Sequence, residues 1–457
     1  MNLDRAQGPS SRHRALLAVV LVLSGCSATM LGLSSPAPSS DAGVVDAALF
    51  DAALFDADRA ADAATPAIPP GGDLGPGSRP SDRPEAEGWE EPPDLDAEDP
   101  CCTMSEPVRV ADWDDGHPWF HLPPLVAWGP GYWGVLDLYL GEAGTEGMRL
   151  RRLRPDGTPI DALVVEPPVP PANFSEGFSR PSRLSWSSGR WAIAARTPGE
   201  RDDARFFARF YDRDMAPSSA WLRYHDRPAS LADLVPHRGA WLGLSSDERQ
   251  RWATALPPGE QASRLGAGDV AGIRGAGMES RAVMLLRAPD DLHSLSITDG
   301  ERERALLPLG TFGHDADVGS VRDLAIVAAW GEDVLRVQLA DPFLAEISTG
   351  AVVLAERDAR RRDEGETLRS VAVVGSNKHG VAAVCYGVRT GAERSEVRLA
   401  LVAPDATVRG RPVVVADSEF RFNAANCSIG SDEAGFLVAW WTGRELWVRR
   451  VDVARAP

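Results

Sequence analysis

From about residue 107 to the carboxyl end, short runs of alternating apolar and polar residues are interrupted by glycine, proline, aspartate or asparagine. Alternation with a period of two predicts β-strands with one buried face, and the interrupting residues are those that tight turns favour. No long segment with the 3.6-residue period of a helix stands out. We therefore predict that residues 101–457 form an all-β domain of short strands.

The strand pattern repeats along this region. The segment LVAWGPGYWGVLDLYL (125–140) aligns with RLSWSSGRWAIAAR (183–196), and VAVVGSNKHGVAAVCYGV (371–388) aligns with CSIGSDEAGFLVAWWTG (427–443). Weaker copies start near residues 232, 269 and 321. About seven units at a spacing near 50 residues, each with four predicted strands, indicate a β-propeller with about seven four-stranded blades.

The two ends of the repeat region predict how the ring closes. The first segment, PVRVADWDD (107–115), resembles the predicted fourth strand PVVVADSEF (412–420). The chain ends with ELWVRRVDVARAP (445–457), which has the pattern of a third strand. We therefore expect the amino-terminal segment to supply the missing fourth strand of the last blade, as propellers commonly do when they close.

Tryptophan recurs at fixed places in the units. The chain contains 14 Trp and 5 Tyr, which could form a platform for carbohydrate. Large aromatic side chains also fill buried layers, and repeated positions favour this packing between blades. The repeated positions are Trp128, Trp133, Trp186, Trp191 and Trp241. Trp113, Trp119 and Trp221 lie outside the pattern and are the better candidates for exposed residues.

The amino end has the organisation of a secretory signal. Arg5, Arg12 and Arg14 precede an uninterrupted apolar run, 15–23, and small residues follow it. The run is too short to span a bilayer, which needs ~20 apolar residues.

The residues after the apolar run, Leu23-Ser24-Gly25-Cys26, resemble the bacterial lipobox. This resemblance implies that residues 1–26 form a lipoprotein signal peptide and that lipid on Cys26 anchors the mature chain to a membrane. Ser27 in place of aspartate favours the outer membrane by the enteric rule. The alternative is an ordinary signal peptide.

Residues 27–100 have the composition of a tether. They are rich in Ala, Asp, Pro, Gly and Ser and hold 16 acids and 3 arginines, so most of the net charge of −18 lies here. Such a segment buries too little apolar surface to offset its ordering entropy, and we predict an extended, disordered acidic spacer. No basic stripe is present that could neutralise phosphates, which argues against a nucleic-acid partner.

The four cysteines beyond Cys26 are an even set, which predicts disulfides in an oxidising compartment. The candidates are Cys101, Cys102, Cys385 and Cys427. A bond from Cys101 or Cys102 to Cys427 would fasten the closing strand, and Cys385–Cys427 is an equal alternative. A zinc site is disfavoured because no C-x-x-C pair occurs.

Two short motifs resemble loops of known propellers. DADVGSVRDLAIV (315–327) resembles the calcium loop of integrin-type repeats, which makes Asp315, Asp317 and Asp323 candidate calcium ligands. The alternative is a solvated turn capped by aspartates. Ser245, Asp247 and Trp252 resemble the Asp-box of sialidase-like propellers, which is a structural turn.

The overall pattern resembles the secreted β-propeller lipoproteins of GC-rich Gram-negative bacteria. That resemblance implies a periplasmic or surface location and a binding role, with a protein or a glycan bound at one face of the ring. No nucleophile elbow, zincin helix or P-loop occurs in the sequence. The alternatives are a glycan hydrolase or lyase with paired carboxylates at the channel, and a scaffold for envelope assembly.

Overall fold

The computed structural model describes the chain between Pro100 and Val453, with gaps. The described residues are 100–112, 123–140, 146–168, 180–197, 205–224, 231–247, 249–256, 262–268, 270–278, 281–311, 316–322, 324–330, 334–341, 346–356, 371–389, 395–418, 427–432, 434–442 and 445–453. The predicted signal peptide and all but the last residue of the predicted tether lie outside these ranges. Within them, the structure contains no helix long and apolar enough to cross a membrane.

The described chain forms seven antiparallel sheets, which confirms the predicted seven-bladed propeller. Two strands come first along the chain, β1 (Cys102–Met104) and β2 (Val108–Asp112). Blade 1 consists of β3 (Leu125–Trp128), β4 (Trp133–Leu140), β5 (Glu146–Leu153) and β6 (Pro159–Val165), and blade 2 of β7 (Arg180–Ser187), β8 (Arg190–Arg196), β9 (Phe206–Tyr211) and β10 (Leu222–Arg223). Blade 3 consists of β11 (Leu231–His237), β12 (Ala240–Ser246), β13 (Gln250–Leu256) and β14 (Ser263–Ala267), and blade 4 of β15 (Gly272–Gly277), β16 (Ala282–Arg287), β17 (Leu292–Thr298) and β18 (Glu303–Thr311). Blade 5 consists of β19 (Ala316–Val321), β20 (Leu324–Trp330), β21 (Val334–Asp341) and β22 (Glu346–Glu356), and blade 6 of β23 (Val371–Ser376), β24 (Val381–Arg389), β25 (Ser395–Val402) and β26 (Val413–Ser418). Blade 7 contains β27 (Cys427–Ser431), β28 (Gly435–Thr442) and β29 (Glu445–Val453).

The first strands of the blades form the inner wall of the ring. Each first strand contacts the first strand of the next blade, and β27 of blade 7 contacts β3 of blade 1, so the circle is complete. Successive strands of a blade pair in chain order from the inside outwards. Short turns permit this order because antiparallel neighbours need only a few connecting residues.

The closure of the ring follows the prediction from the two chain ends. Strand β2 pairs with β29, with Val108 opposite Val448, and β1 pairs with the far end of β29, with Cys102 opposite Val453. Between the two strands, Ser105 donates its amide to the carbonyl of Arg450 over 3.0 Å. The amino-terminal segment therefore supplies the fourth strand of blade 7, in two pieces.

The hydrophobic core lies in layers between adjacent blades. One cluster joins Trp133 and Val135 of blade 1 to Leu437 and Val448 of blade 7, and other clusters join later pairs of blades in the same way. The second strands are buried along almost their whole length, which explains their continuous apolar sequences. Burial on both faces makes each blade depend on its neighbours.

The repeated tryptophans lie in these layers. Trp133 and Trp191 are fully buried, and Trp241 is 2% exposed. The rings of Trp128 and Trp186 are partly buried and pack against them at centroid distances of 4.8 Å and 5.2 Å. Trp221 is also partly buried and donates its indole N–H to the carbonyl of Glu166, so it is not an exposed aromatic residue. Trp113 and Trp119 lie outside the described residues.

Aspartates close the turns between third and fourth strands in blades 1 and 6. Asp156 Oδ1 accepts hydrogen bonds from the backbone amide and the hydroxyl of Thr158, at 2.9 Å and 2.7 Å. Asp405 accepts the same two bonds from Thr407 in blade 6. Asp247 of the Asp-box motif accepts two backbone amides in the turn from β12 to β13, which agrees with a structural role.

Glycines allow neighbouring first strands to approach each other near the axis. A Cβ atom at Gly375 would lie 1.7 Å from the carbonyl oxygen of Ser320 in blade 5. A Cβ atom at Gly277 would lie 2.4 Å from the carbonyl oxygen of Pro236 in blade 3. Because the obstructing atoms belong to the backbone, a larger residue would force these strands apart.

A disulfide joins Cys385 in β24 to Cys427 in β27, and so links blade 6 to blade 7. Cys101 and Cys102 carry free thiols, both buried in the same hydrophobic cluster as the disulfide. The alternative in which the closing segment is fastened to Cys427 is therefore not formed, because Cys385 already occupies that sulfur. A hydrogen bond with Cys101, together with burial, raises the pKa of the Cys102 thiol well above its ordinary value.

Candidate binding site at the central channel

The first strands of the seven blades enclose a cavity of about 840 Å³. This size lies within the range of small-ligand sites, which is roughly 300–1,000 Å³. Besides first-strand residues, the wall includes Arg196 and Arg287 at the ends of second strands, and Phe206 and His293 at the starts of third strands. In an antiparallel sheet these positions lie at the same end as the starts of the first strands. The cavity therefore widens at that end, which we call the wide mouth.

Four charged residues follow one another around the ring near the wide mouth. Arg183, Asp233, Arg274 and Asp317 lie near the amino ends of the first strands of blades 2, 3, 4 and 5. We call these four residues the charged belt. The signs alternate around the ring, so each arginine has an aspartate on a neighbouring blade.

Arg183 ties three blades together. Its Nε donates to the carbonyl of Leu234 over 3.2 Å and lies 3.5 Å from Asp233 Oδ1, and its Nη2 donates to the carbonyl of Gly275. Asp233 is 1% exposed, and its two oxygens accept the amides of Leu234 and Gly275, both over 2.8 Å. These bonds satisfy the backbone groups of edge strands, which would otherwise face the cavity without partners.

Asp317 performs the same task between blades 5 and 6. Its Oδ2 accepts the amide of Val373 over 2.8 Å. Burial raises the pKa of Asp317, and the charges of Arg183 and Arg274 oppose this rise. The carboxylate thus ties the first strands of blades 5 and 6, and its pKa responds to two arginines that line the same cavity.

The structure describes one of the three candidate calcium ligands. Asp317 lies in the extended strand β19, and its carboxylate accepts a backbone amide rather than projecting into a turn. Asp315 and Asp323 lie outside the described residues, beyond the two ends of β19. In the described part of the chain, no group of three or more histidines, cysteines or acids is placed to hold a metal ion.

Arg274 differs from the other members of the belt. It is exposed in the cavity and makes no hydrogen bond or ion pair with any described residue, although its charge acts on Asp317. By contrast, Arg287 is held by the carbonyl of Ala271 over 3.0 Å and by Asp291 over 3.3 Å. The guanidinium of Arg274 therefore remains available to a bound group.

The described wall of the cavity is biased towards positive charge. It includes four arginines and one acid, Asp317. The enzyme alternative requires two acids from different blades that face one pocket, roughly 5–10 Å apart. The other acid of the belt, Asp233, is buried and engaged by Arg183 and two amides. The described side chains therefore form an anion-attracting wall rather than a pair of carboxylates open to the cavity.

The remaining wall is largely apolar, with scattered hydroxyl groups. Blades 6, 7 and 1 contribute the apolar side chains of Val373, Ile429 and Leu125, together with the hydroxyl of Ser428. The rings of Trp128 and Trp186 lie further along the channel. A bound molecule would therefore meet guanidinium on one side and apolar surface on the other.

The charged belt was missed in the sequence, although it leaves a signal there. Arg183 opens the aligned segment of blade 2, and a charged residue recurs near the start of an apolar first strand in each of the next three units. The first strand of blade 6 lacks a charge, with VAVVGS at 371–376. A charged residue at the same position of consecutive apolar strands therefore indicates the belt in the sequence.

No protein-family model matches this chain, and no curated protein matches it. Solved structures with a similar shape include the Dos1 propeller, with 9% identity, a TM-score of 0.45, and coverage of 78% of this chain and 96% of that one. They also include the WD40 domain of Toxoplasma gondii coronin, with 11% identity, a TM-score of 0.44, and coverage of 77% and 88%. A phage phi92 endosialidase has 7% identity, a TM-score of 0.46, and coverage of 77% and 70%. The strand pairing and the closed circle of first strands establish that the chain is a seven-bladed β-propeller.

Proposed function

We propose that this protein is an extracytoplasmic binding protein, held to the outer membrane by lipid on Cys26, which binds a protein or a glycan at the wide mouth of its propeller. The observation that carries the binding role is the guanidinium of Arg274, which has no partner among the described residues and lies in a cavity of about 840 Å³. An unpaired charged donor in a concave site is an arrangement that recognition uses and that ring stability does not require.

The address rests on the amino end of the sequence. The basic residues, the short apolar run and Cys26 follow one another in the order of a lipoprotein signal. The acidic, proline-rich segment 27–100 would then separate the ring from the lipid surface. The disulfide between Cys385 and Cys427 supports an oxidising compartment, because such bonds are rare in the cytosol.

The anchor is tested by growth of a bacterial host that expresses the full chain with labelled palmitate. We expect the wild-type protein to carry the label and to stay with the membrane fraction. The Cys26→Ala variant should lose both properties, whereas Cys101→Ala, which changes a cysteine beyond the predicted tether, should retain both. Label that persists in Cys26→Ala would refute the anchor.

The site is tested by partial filling of the wide mouth. Ser428 lies on the apolar side of the cavity, so Ser428→Trp adds bulk there without removing charge. On a panel of immobilised glycans and envelope proteins, this variant should lose the binding that the wild-type protein shows. Arg264→Ala, on the exposed outer strand of blade 3, is the control and should bind as the wild type does. Equal binding by Ser428→Trp, with an unchanged melting temperature, would place the site elsewhere.

A further inference from the structure

The electrostatics of the wide mouth differ from those of the whole chain. Residues 27–100 carry −13 of the formal net charge of −18 and residues 101–457 carry −7, yet the described wall of the cavity contains four arginines against one acid. A cleft lined by one sign of charge concentrates the field and attracts ions of the opposite sign. Because the ring is otherwise acidic, this wall is a place where an anionic ligand is favoured over a cationic one.

Arg274 differs from the neighbouring arginines of the wall, because it has no partner among the described residues. Arg183 is used by two carbonyls and Asp233, and Arg287 by one carbonyl and Asp291. None of the five N–H donors of Arg274, which form a planar fork, is used by a described residue, so all five can bind a ligand. A planar fork matches the two oxygens of a carboxylate through two parallel hydrogen bonds.

The charge beside Arg274 limits how negative the ligand can be. Asp317 lines the same cavity on the first strand of the next blade, and the charge of Arg274 lowers its pKa against the effect of burial. A phosphate or sulfate carries more negative charge and more oxygens than one guanidinium can satisfy, and it would face repulsion from Asp317. A single carboxylate needs one fork and suffers less repulsion.

The rest of the cavity favours a sugar as the bearer of that carboxylate. The wall opposite the belt combines apolar side chains with hydroxyl groups, including Ser428, and two aromatic rings lie further along the channel. A sugar ring presents hydroxyl groups at its rim and C–H groups on its faces, so it can use both kinds of surface. An acidic peptide would use the guanidinium but has less need of the hydroxyls.

We propose that Arg274 binds the carboxylate of an acidic sugar, such as a uronic acid residue of a glycan, at the wide mouth of the channel. This inference rests on the proposed binding function and names its ligand class. Arg274 is the specificity-determining residue, and Arg183 and Asp233 hold the neighbouring residue Gly275 in place.

The experiment is calorimetric titration of the purified full chain with trigalacturonate. Its methyl ester, which keeps the hydroxyls and removes the charge, is the matched ligand. We expect the acid to bind at least ten-fold more tightly than the ester. Arg274→Ala should weaken binding of the acid ten-fold or more while it leaves the ester unchanged, Arg274→Lys should restore part of the loss, and Arg264→Ala should have no effect.

The outcomes separate this inference from the proposed function. Equal affinity for acid and ester, or unchanged binding in Arg274→Ala, would overturn the role of Arg274. If Ser428→Trp still abolished binding in that case, the proposed site at the mouth would stand. Tighter binding of hexaglutamate than of trigalacturonate would assign the site to an acidic peptide and overturn the sugar. Tighter binding of inorganic phosphate would overturn the preference for carboxylate.

Discussion

The disulfide between blades 6 and 7 makes a quantitative prediction about stability. Cys385 and Cys427 are buried and are separated by 42 residues in the sequence. In the chain-entropy model, closure of a loop of this length lowers the entropy of the unfolded chain enough to stabilise the fold by about 4 kcal/mol. The bond also fastens blade 7, whose fourth strand comes from the other end of the chain.

The perturbation is the double variant Cys385→Ala with Cys427→Ala. This variant loses the cross-link and also two buried sulfur atoms, which cost about 1 kcal/mol each. The control is Cys101→Ala with Cys102→Ala, which removes two buried sulfurs from the same cluster without breaking a cross-link. The difference between the two double variants therefore isolates the contribution of the disulfide.

The assay is urea unfolding followed by tryptophan fluorescence, for which the chain carries 14 tryptophans. With an m value somewhat above 3 kcal/mol/M, the loss of the cross-link should lower the midpoint by about 1 M relative to the control variant. Wild-type protein in dithiothreitol should unfold at the lower midpoint as well. Equal midpoints for the two double variants, or peptide mapping that links Cys101 or Cys102 to Cys427, would refute the reasoning.

Three further substitutions test other parts of the fold. Burial raises the pKa of Asp137, which pairs with Arg151 in blade 1, to about 6. The stability that this raised pKa contributes is therefore greatest below pH 4, and about 3 kcal/mol of it is lost as the pH rises through 6. Asp137→Asn should flatten this part of a pH series of melting temperatures, and an unchanged slope would contradict the raised pKa. Gly375→Ala should cost about 2 kcal/mol or more of stability, because its Cβ would meet the backbone of blade 5. The control, Gly131→Ala, should cost about 1 kcal/mol, because Gly131 has a φ of 93° but open space around it. Equal losses of stability in thermal melting would disprove the close approach at Gly375. Val110→Ala in the closing strand should cost about 2 kcal/mol of stability and speed proteolysis of the amino-terminal segment. The control is Arg109→Ala, on the exposed side of the same strand, which should have little effect. A similar effect of Arg109→Ala would show that closure depends on surface charge.

Local features of the sequence were sufficient to predict the architecture. Alternation with a period of two and the turn residues act over a few positions, and the four-stranded unit repeats often enough to be counted. The ring closure was also predictable, because the segment at 107–115 shares its pattern with a fourth strand and the chain ends on a third. The turns at Asp156 and Asp405 are formed by an aspartate and a threonine two positions apart, so their geometry depends on local sequence alone.

Other features depend on contacts between residues far apart in the sequence. The even number of cysteines indicated disulfides, but only the packing of β24 against β27 selected Cys385 as the partner of Cys427. The free thiols of Cys101 and Cys102 follow from that choice.

The sequence by itself determined the kind of strand, the number of repeats and how the ends of the ring meet, because each depends on neighbouring residues or on a recurring pattern. Tertiary structure alone decided the composition of the cavity wall. Members of the charged belt lie tens of residues apart in the chain, and they come together only because the ring places equivalent strands around one axis. Whether an arginine there is engaged, like Arg183, or has no partner in the described part of the chain, like Arg274, depends on which backbone groups the neighbouring blades present to it.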